Sequence, residues 1–190
     1  MGLVEIFITL VLLLLEGVPG EFVLLNVQHQ NQLENMCVPT CASMVLDYYG
    51  ELVSPERLRT LSIYDSYTFA GLYYQDLING LNKLGYAWEI RVIPYGKKFD
   101  KTFYSALKEI EKALDNHHPV IISTTSPPIG HSVLVVGYFQ SKKLFFINDP
   151  AKIGIVDQVI SIKTLKRIWH EEMSAYRAWI LTQPKAIRPN

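Results

Sequence analysis

Two kinds of side chain in this sequence can do nucleophilic chemistry together: a cysteine placed to ionise and a histidine placed to hold its proton. A thiol becomes a strong nucleophile when its pKa falls, and a helix amino terminus and a nearby imidazolium both lower it. The sequence holds two cysteines, Cys37 and Cys41. Cys37 follows the polar loop 28–35 and heads an apolar-periodic segment with Pro39 in its first turn. It is therefore expected to start a helix, where backbone N–H groups face the sulfur and any oxyanion formed beside it. Cys41 lies one turn further in and reads as a small buried hydrophobe. A Cys37–Cys41 disulfide within one helix is disfavoured by the fixed bond geometry.

A general base would have to be one of five histidines. His117 and His118 stand before Pro119 at the exposed end of a helix, His29 lies in a loop, and His170 closes a short helix beside Glu171 and Glu172. These four are expected to be surface or capping residues. His131 differs, because it opens the most apolar stretch of the chain, His-Ser-Val-Leu-Val-Val-Gly-Tyr, after a Pro/Gly loop. A titratable group at the mouth of a buried strand is a candidate for function. Residues 144–148 follow through the short turn Gln140-Ser141-Lys142 and should pair antiparallel to that strand, returning Asp149 to the level of His131. Asp149-Pro150 alone reads as a turn initiator; beside His131 it becomes the acid that orients the imidazole. Gln32, five residues before Cys37, is a candidate oxyanion donor. Gln28, Gln30 and Gln32 alternate, and chemistry by itself does not choose among them. No His-Glu-x-x-His helix or paired ligand spacing occurs, so neither a metal nor another cofactor is expected.

These residues need elements to hold them. Residues 37–49 have helical apolar spacing stopped by Gly50, and Ser54-Pro55-Glu56 opens a second, short helix. Residues 72–84 read as a helix closed by Gly85, and 86–93 as a strand. Residues 101–115 form an amphipathic helix whose Lys108, Glu109, Glu111 and Lys112 make a solvated face. The second half turns to strands at 119–124, 131–139, 144–148, 154–162 and 176–182, with a short helix at 163–170. Helices first and antiparallel strands later give an α+β fold with segregated lobes and a cleft between them. Tyr64, Tyr67, Phe69, Tyr73 and Tyr74 cluster in one region and read as core, with cleft lining as the alternative.

The chain has 190 residues, 49% hydrophobic and 19% charged, which excludes wholesale disorder and fits one domain over residues 21–190. Its 18 basic and 18 acidic residues leave no electrostatic footprint for a nucleic-acid partner. Two cysteines exclude a disulfide-stapled miniprotein and a four-thiolate zinc site. Residues 6–15 are apolar except for Thr9, too short for the roughly 20 helical residues that cross a membrane. They suit the apolar part of a signal peptide with Gly17 or Gly20 at the cleavage point, although residues 1–20 hold Glu5 and Glu16 and no base. An exported protein is expected; a membrane-associated anchor or a buried helix is the alternative.

Residues 32–50, Gln-Leu-Glu-Asn-Met-Cys-Val-Pro-Thr-Cys-Ala-Ser-Met-Val-Leu-Asp-Tyr-Tyr-Gly, resemble the nucleophile segment of papain-like peptidases related to the bacteriocin-processing, double-glycine leader peptidases. His118-Pro-Val-Ile-Ile, the His131 block and Ile147-Asn-Asp-Pro-Ala resemble further blocks of that family, in order and in register over most of 25–151. The resemblance implies a papain-like fold, Cys37 as nucleophile, His131 as base and acid, Asp149 as orienting residue and Gln32 as oxyanion donor. It implies a peptide or protein substrate. Two features depart from the pattern. Val38 stands where the family usually has Gly, which is expected to narrow the approach of substrate. The chain also has no G-x-x-x-x-G-K-[ST] loop, so a free-standing relative is expected rather than a transporter fusion. An amidase acting on cell-wall or other non-protein amides, a thiol-condensing enzyme, and a catalytically inactive peptide-binding domain are the rival readings.

Overall fold

Residues 131–139 are apolar on both sides of the pleat, and a strand of that kind has to be covered on both faces. In the computed structural model, which describes residues 21–62, 72–92, 99–124, 130–170 and 178–185, they form β4 (His131–Phe139). Every residue of β4 between its two ends is buried. β3 (Val120–Thr124) and β5 (Leu144–Asn148) flank it antiparallel. With β1 (Phe22–Leu24), β2 (Glu89–Val92), β6 (Gln158–Ser161) and β7 (Ala178–Leu181) they make a seven-stranded antiparallel sheet in the order β2-β7-β3-β4-β5-β6. β1 lies off that path, against the far end of β4. It fits there because residue 137 is glycine: a Cβ would collide with the Val23 carbonyl oxygen and meet the Leu24 Cα at 3.0 Å.

Among the described residues three helices come before most of the sheet: α1 (Cys37–Tyr48), α2 (Pro55–Ser62) and α3 (Tyr74–Lys83). α1 buries every residue from Val38 to Leu46 and packs on β4 and α2. It ends where Gly50 takes φ +83, with its N–H on the Asp47 carbonyl and the Glu51 N–H on that of Leu46. α4 (Phe99–Asp115) and α5 (Ile162–His170) pack against β3, with Phe103 edge-on to Trp169 and Trp169 stacked on Trp179. Lys108, Glu109 and Lys112 are exposed on α4, as the amphipathic pattern requires. One apolar cluster runs from Leu25 through α1, α3 and α4 to Ile180.

Several elements differ in extent from the sequence expectation. The strand expected over 154–162 is laddered only at 158–161, because residues 150–157 turn around Asp149: the Lys152 N–H bonds the Asp149 carbonyl, Ile155 N–H that of Lys152, and Asp157 sits at φ 50. The apolar residues Ile153, Ile155 and Val156 are exposed there. Tyr86 and Trp88 are buried but precede the ladder, since β2 meets β7 only from Glu89. Residues 1–20, the aromatic residues Tyr64, Tyr67 and Phe69, most of the loop before His131, and Glu171 and Glu172 lie outside the described residues.

Candidate active site

The site forms where the first turn of α1 meets the start of β4 and the end of β5. The chain enters α1 through a turn in which Met36 N–H bonds the Leu33 carbonyl at 3.1 Å and Asn35 takes φ 59, a conformation Asn tolerates. Met36 stands at the N-cap and makes no side-chain cap, so no local oxygen consumes the first amides of the helix. Cys37, at the first helical position, is half-buried.

β5 runs back beside β4 with a bulge at Val136, after which Leu134 faces Asn148. Asp149 follows at the level of Val133 and reaches diagonally to His131, whose Nε2 is 2.6 Å from Asp149 Oδ1. Both side chains are mostly buried, 14% and 12% exposed. The same oxygen accepts the Ala151 N–H at 3.0 Å. With Nε2 committed to Asp149, Nδ1 is the ring nitrogen left for Cys37, to which His131 also hydrogen-bonds. Cys37, His131 and Asp149 thus come together, from two lobes.

The electrostatics follow from this geometry. Burial works against ionisation of Cys37, but the hydrogen bond and charge of His131, with the backbone amides of Ser132 and Val38, outweigh it and lower the pKa of the thiol. Burial also opposes a charged His131; its bonds to Asp149 and Cys37 win and push it up to about 9. Asp149 is raised by burial and lowered by more through His131, the Ala151 amide and Lys152. Cys41 has no exposed surface, and burial drives its thiol well above the ordinary range, so the two cysteines are opposite in character.

Gln32 stands in the loop that leads to Cys37. Its N–H bonds the Pro150 carbonyl at 2.9 Å, which ties the loop before Cys37 to the turn after Asp149. Its side-chain oxygen is buried with no protein partner. Gln30, by contrast, spends its backbone N–H on Met44 Sδ. Val38 is 6% exposed and packs into the apolar cluster, so its side chain turns inward and does not line an approach to the sulfur.

Sequence comparison identifies the chain. Residues 24–176 match the model of the Peptidase C39-like family. The chain belongs to that family. It is a cysteine peptidase, a hydrolase, with a papain-like α+β fold. Solved structures share the fold of this C39-like chain: a C39-like peptidase from Bacillus anthracis, 20% identical, covers 87% of this chain and 100% of its own at a TM-score of 0.60. The peptidase domain of Streptococcus ComA, a bi-functional ABC transporter, is 17% identical over 84% of this chain and 99% of its own, TM-score 0.60. A double glycine motif protease from an AMS/PCAT transporter, in complex with the leader peptide, is 19% identical over 85% of this chain and 94% of its own, TM-score 0.57. No curated protein sequence matches the chain significantly.

Two supporting residues escape sequence reasoning. His29 is no mere surface group: its Nε2 bonds the Asp149 backbone carbonyl at 2.9 Å. Asn148, wholly buried, donates from Nδ2 to the Val27 carbonyl at 3.1 Å and accepts the Asp157 N–H at 3.0 Å. Together they fix the turn carrying Asp149 against the segment leading to Cys37. Their partners are backbone groups more than a hundred residues away or beyond a turn, so no local pattern marks them.

Proposed function

We propose that this C39-like chain hydrolyses peptide bonds through a Cys37–His131–Asp149 triad and a thioester intermediate. The observation that carries the reading is the 2.6 Å His131–Asp149 bond on an imidazole that also hydrogen-bonds a thiol of lowered pKa. The Cys37 thiolate attacks the scissile carbonyl, forming the carbon–sulfur bond. Negative charge on the carbonyl oxygen is received by the amide of Gln32 and backbone N–H at the start of α1. The His131 imidazolium gives its proton to the leaving amine as the carbon–nitrogen bond breaks. Neutral His131 then takes a proton from water, whose hydroxide attacks the thioester; carboxylic acid and the Cys37–His131 pair are released. Asp149 holds the ring so that Nδ1 faces the sulfur throughout.

The substrate of this proposal is a peptide with a double-glycine-type leader, a reading supported by the fold shared with a protease solved in complex with such a peptide. Residues 1–20 are proposed to be a signal peptide or hydrophobic anchor, which makes the enzyme exported or membrane-associated. The test is turnover by residues 21–190 on double-glycine leader peptides, unrelated peptides and purified cell wall. Cleavage of a peptide after the double glycine, lost by more than about 1000-fold in Cys37→Ser, is the expected result. Release of amides from wall with no peptide cleavage would replace the leader reading with an amidase. Binding without turnover of any substrate would make the chain a peptide-binding domain.

A further inference from the structure

Ser132 follows His131 and has almost no exposed surface, yet it is polar on every side. β5 ends at Asn148 opposite Leu134, so on that side the peptide groups of Ser132 have no ladder partner. In an antiparallel strand the N–H and C=O of one residue point the same way. Here they meet successive turns of α1: the N–H faces the Cys37 sulfur, and the carbonyl accepts the Cys41 thiol at 3.5 Å. The remaining group, Ser132 Oγ, lies 3.0 Å from the hydroxyl of Tyr74, the first residue of α3. Ser132 therefore joins three elements at the point where the two lobes meet.

Resting on the triad reading above, we propose that Tyr74 is a positioning residue of the peptidase: through Ser132 it fixes the start of β4 against the first turn of α1 and so sets the approach of His131 and of the Ser132 amide to Cys37. Burial, partly offset by the bond to Ser132 and reinforced by the two cysteines, keeps the phenol well above its ordinary pKa. Tyr74 is thus a neutral hydroxyl at every pH where the enzyme works. The titratable groups around Cys37 are His131 from β4, Cys41 from α1 and Tyr74 from α3, with Asp149, after β5, bonded to the far side of the His131 ring. Tyr74 is the one that can be changed by a single oxygen atom without removing a charge from the triad.

The test is the pH dependence of Cys37 alkylation together with kcat and KM in Tyr74→Phe, Ser132→Ala and the double variant. Each single variant is expected to move the alkylation midpoint upward and to lower kcat roughly three- to tenfold, the range of one net hydrogen bond, with KM within about twofold. The double variant is expected to add little to either single one. A merely structural role would lower the unfolding temperature and leave the Cys37 midpoint in place, which overturns the proposal. Additive effects overturn it too, because Tyr74 would then not act through Ser132. If Tyr74→Phe does not fold, Ser132→Ala carries the same expectation alone. A wild type without a low-pH reactive Cys37 would overturn the triad reading itself; a reactive wild type with unchanged variants would overturn only the role of Tyr74.

Discussion

At the residue scale the central feature is a competition between desolvation and pairing. Cys37, His131 and Asp149 are all penalised by burial, yet the thiol and the carboxyl are lowered and the imidazole is raised to about 9. In the proposed mechanism the pair with a proton on His131 and none on Cys37 is the active form, so activity should fall on the acid side as the thiolate takes up a proton. It should fall again as pH rises through about 9, where His131 loses the proton that the leaving amine needs. Asp149→Asn removes the carboxylate charge that raises His131, leaving a neutral amide oxygen to accept from Nε2. The alkaline limb of the kcat/KM profile should then move to lower pH and the maximum drop at least roughly tenfold, read from a pH–rate series. An unmoved limb would separate Asp149 from the titration of His131. Gln32→Ala should slow turnover roughly 100-fold while leaving thermal unfolding unchanged, and near-normal turnover would reject it as oxyanion donor.

Much of this site was legible as chemistry. A cysteine at a helix start, a histidine at the mouth of an apolar strand and an aspartate one hairpin away need only local pattern to be found. Gln32 was not separable from Gln28 and Gln30 without the family resemblance, because an amide has no pattern of its own. His29, Asn148 and Ser132 stayed hidden: each acts by bonding backbone or another neutral hydroxyl across the fold.

At the scale of elements, the periods of apolar residues placed the helices and inner strands well, since α1 and β4 are covered on nearly every side. They failed where β-branched residues serve a turn and not a ladder. Residues 153–156, Ile-Gly-Ile-Val, are rich in β-branched residues like a strand, yet their backbone is spent turning around Asp149, and Asn148 holds the far end of that turn through Asp157. Buried Asn148, bonded to Val27 and Asp157, constrains this segment more than its β-branched composition does, and the sequence shows only the composition. Gly137 gives a test at this scale. Gly137→Ala should cost about 1–3 kcal/mol in denaturant unfolding, because the new methyl has to displace the backbone of β1 and not a flexible side chain. An unchanged midpoint would show that β1 is not held against β4 as described.

For the whole molecule, the α+β architecture followed from helices preceding antiparallel strands, and the pairing of lobes places a thiol from one beside an imidazole from the other. The family match begins at residue 24 and the first strand among the described residues at Phe22. Removing residues 1–20 should therefore leave the unfolding temperature unchanged and kcat/KM within about twofold of the full chain, since the packed elements that carry the proposed triad start later. Lost activity on truncation would give that segment a part in the site.

The most direct test of the central claim is the pH dependence of alkylation at Cys37 and Cys41, resolved by peptide mass spectrometry on residues 21–190. An ordinary thiol titrates near about 8.5, whereas one paired with an imidazolium stays reactive below about pH 6. Rapid labelling of Cys37 alone at low pH, abolished in His131→Ala, is the predicted result. Labelling of Cys37 no faster than Cys41, or only above about pH 8, would contradict a thiolate–imidazolium pair and with it the proposed mechanism.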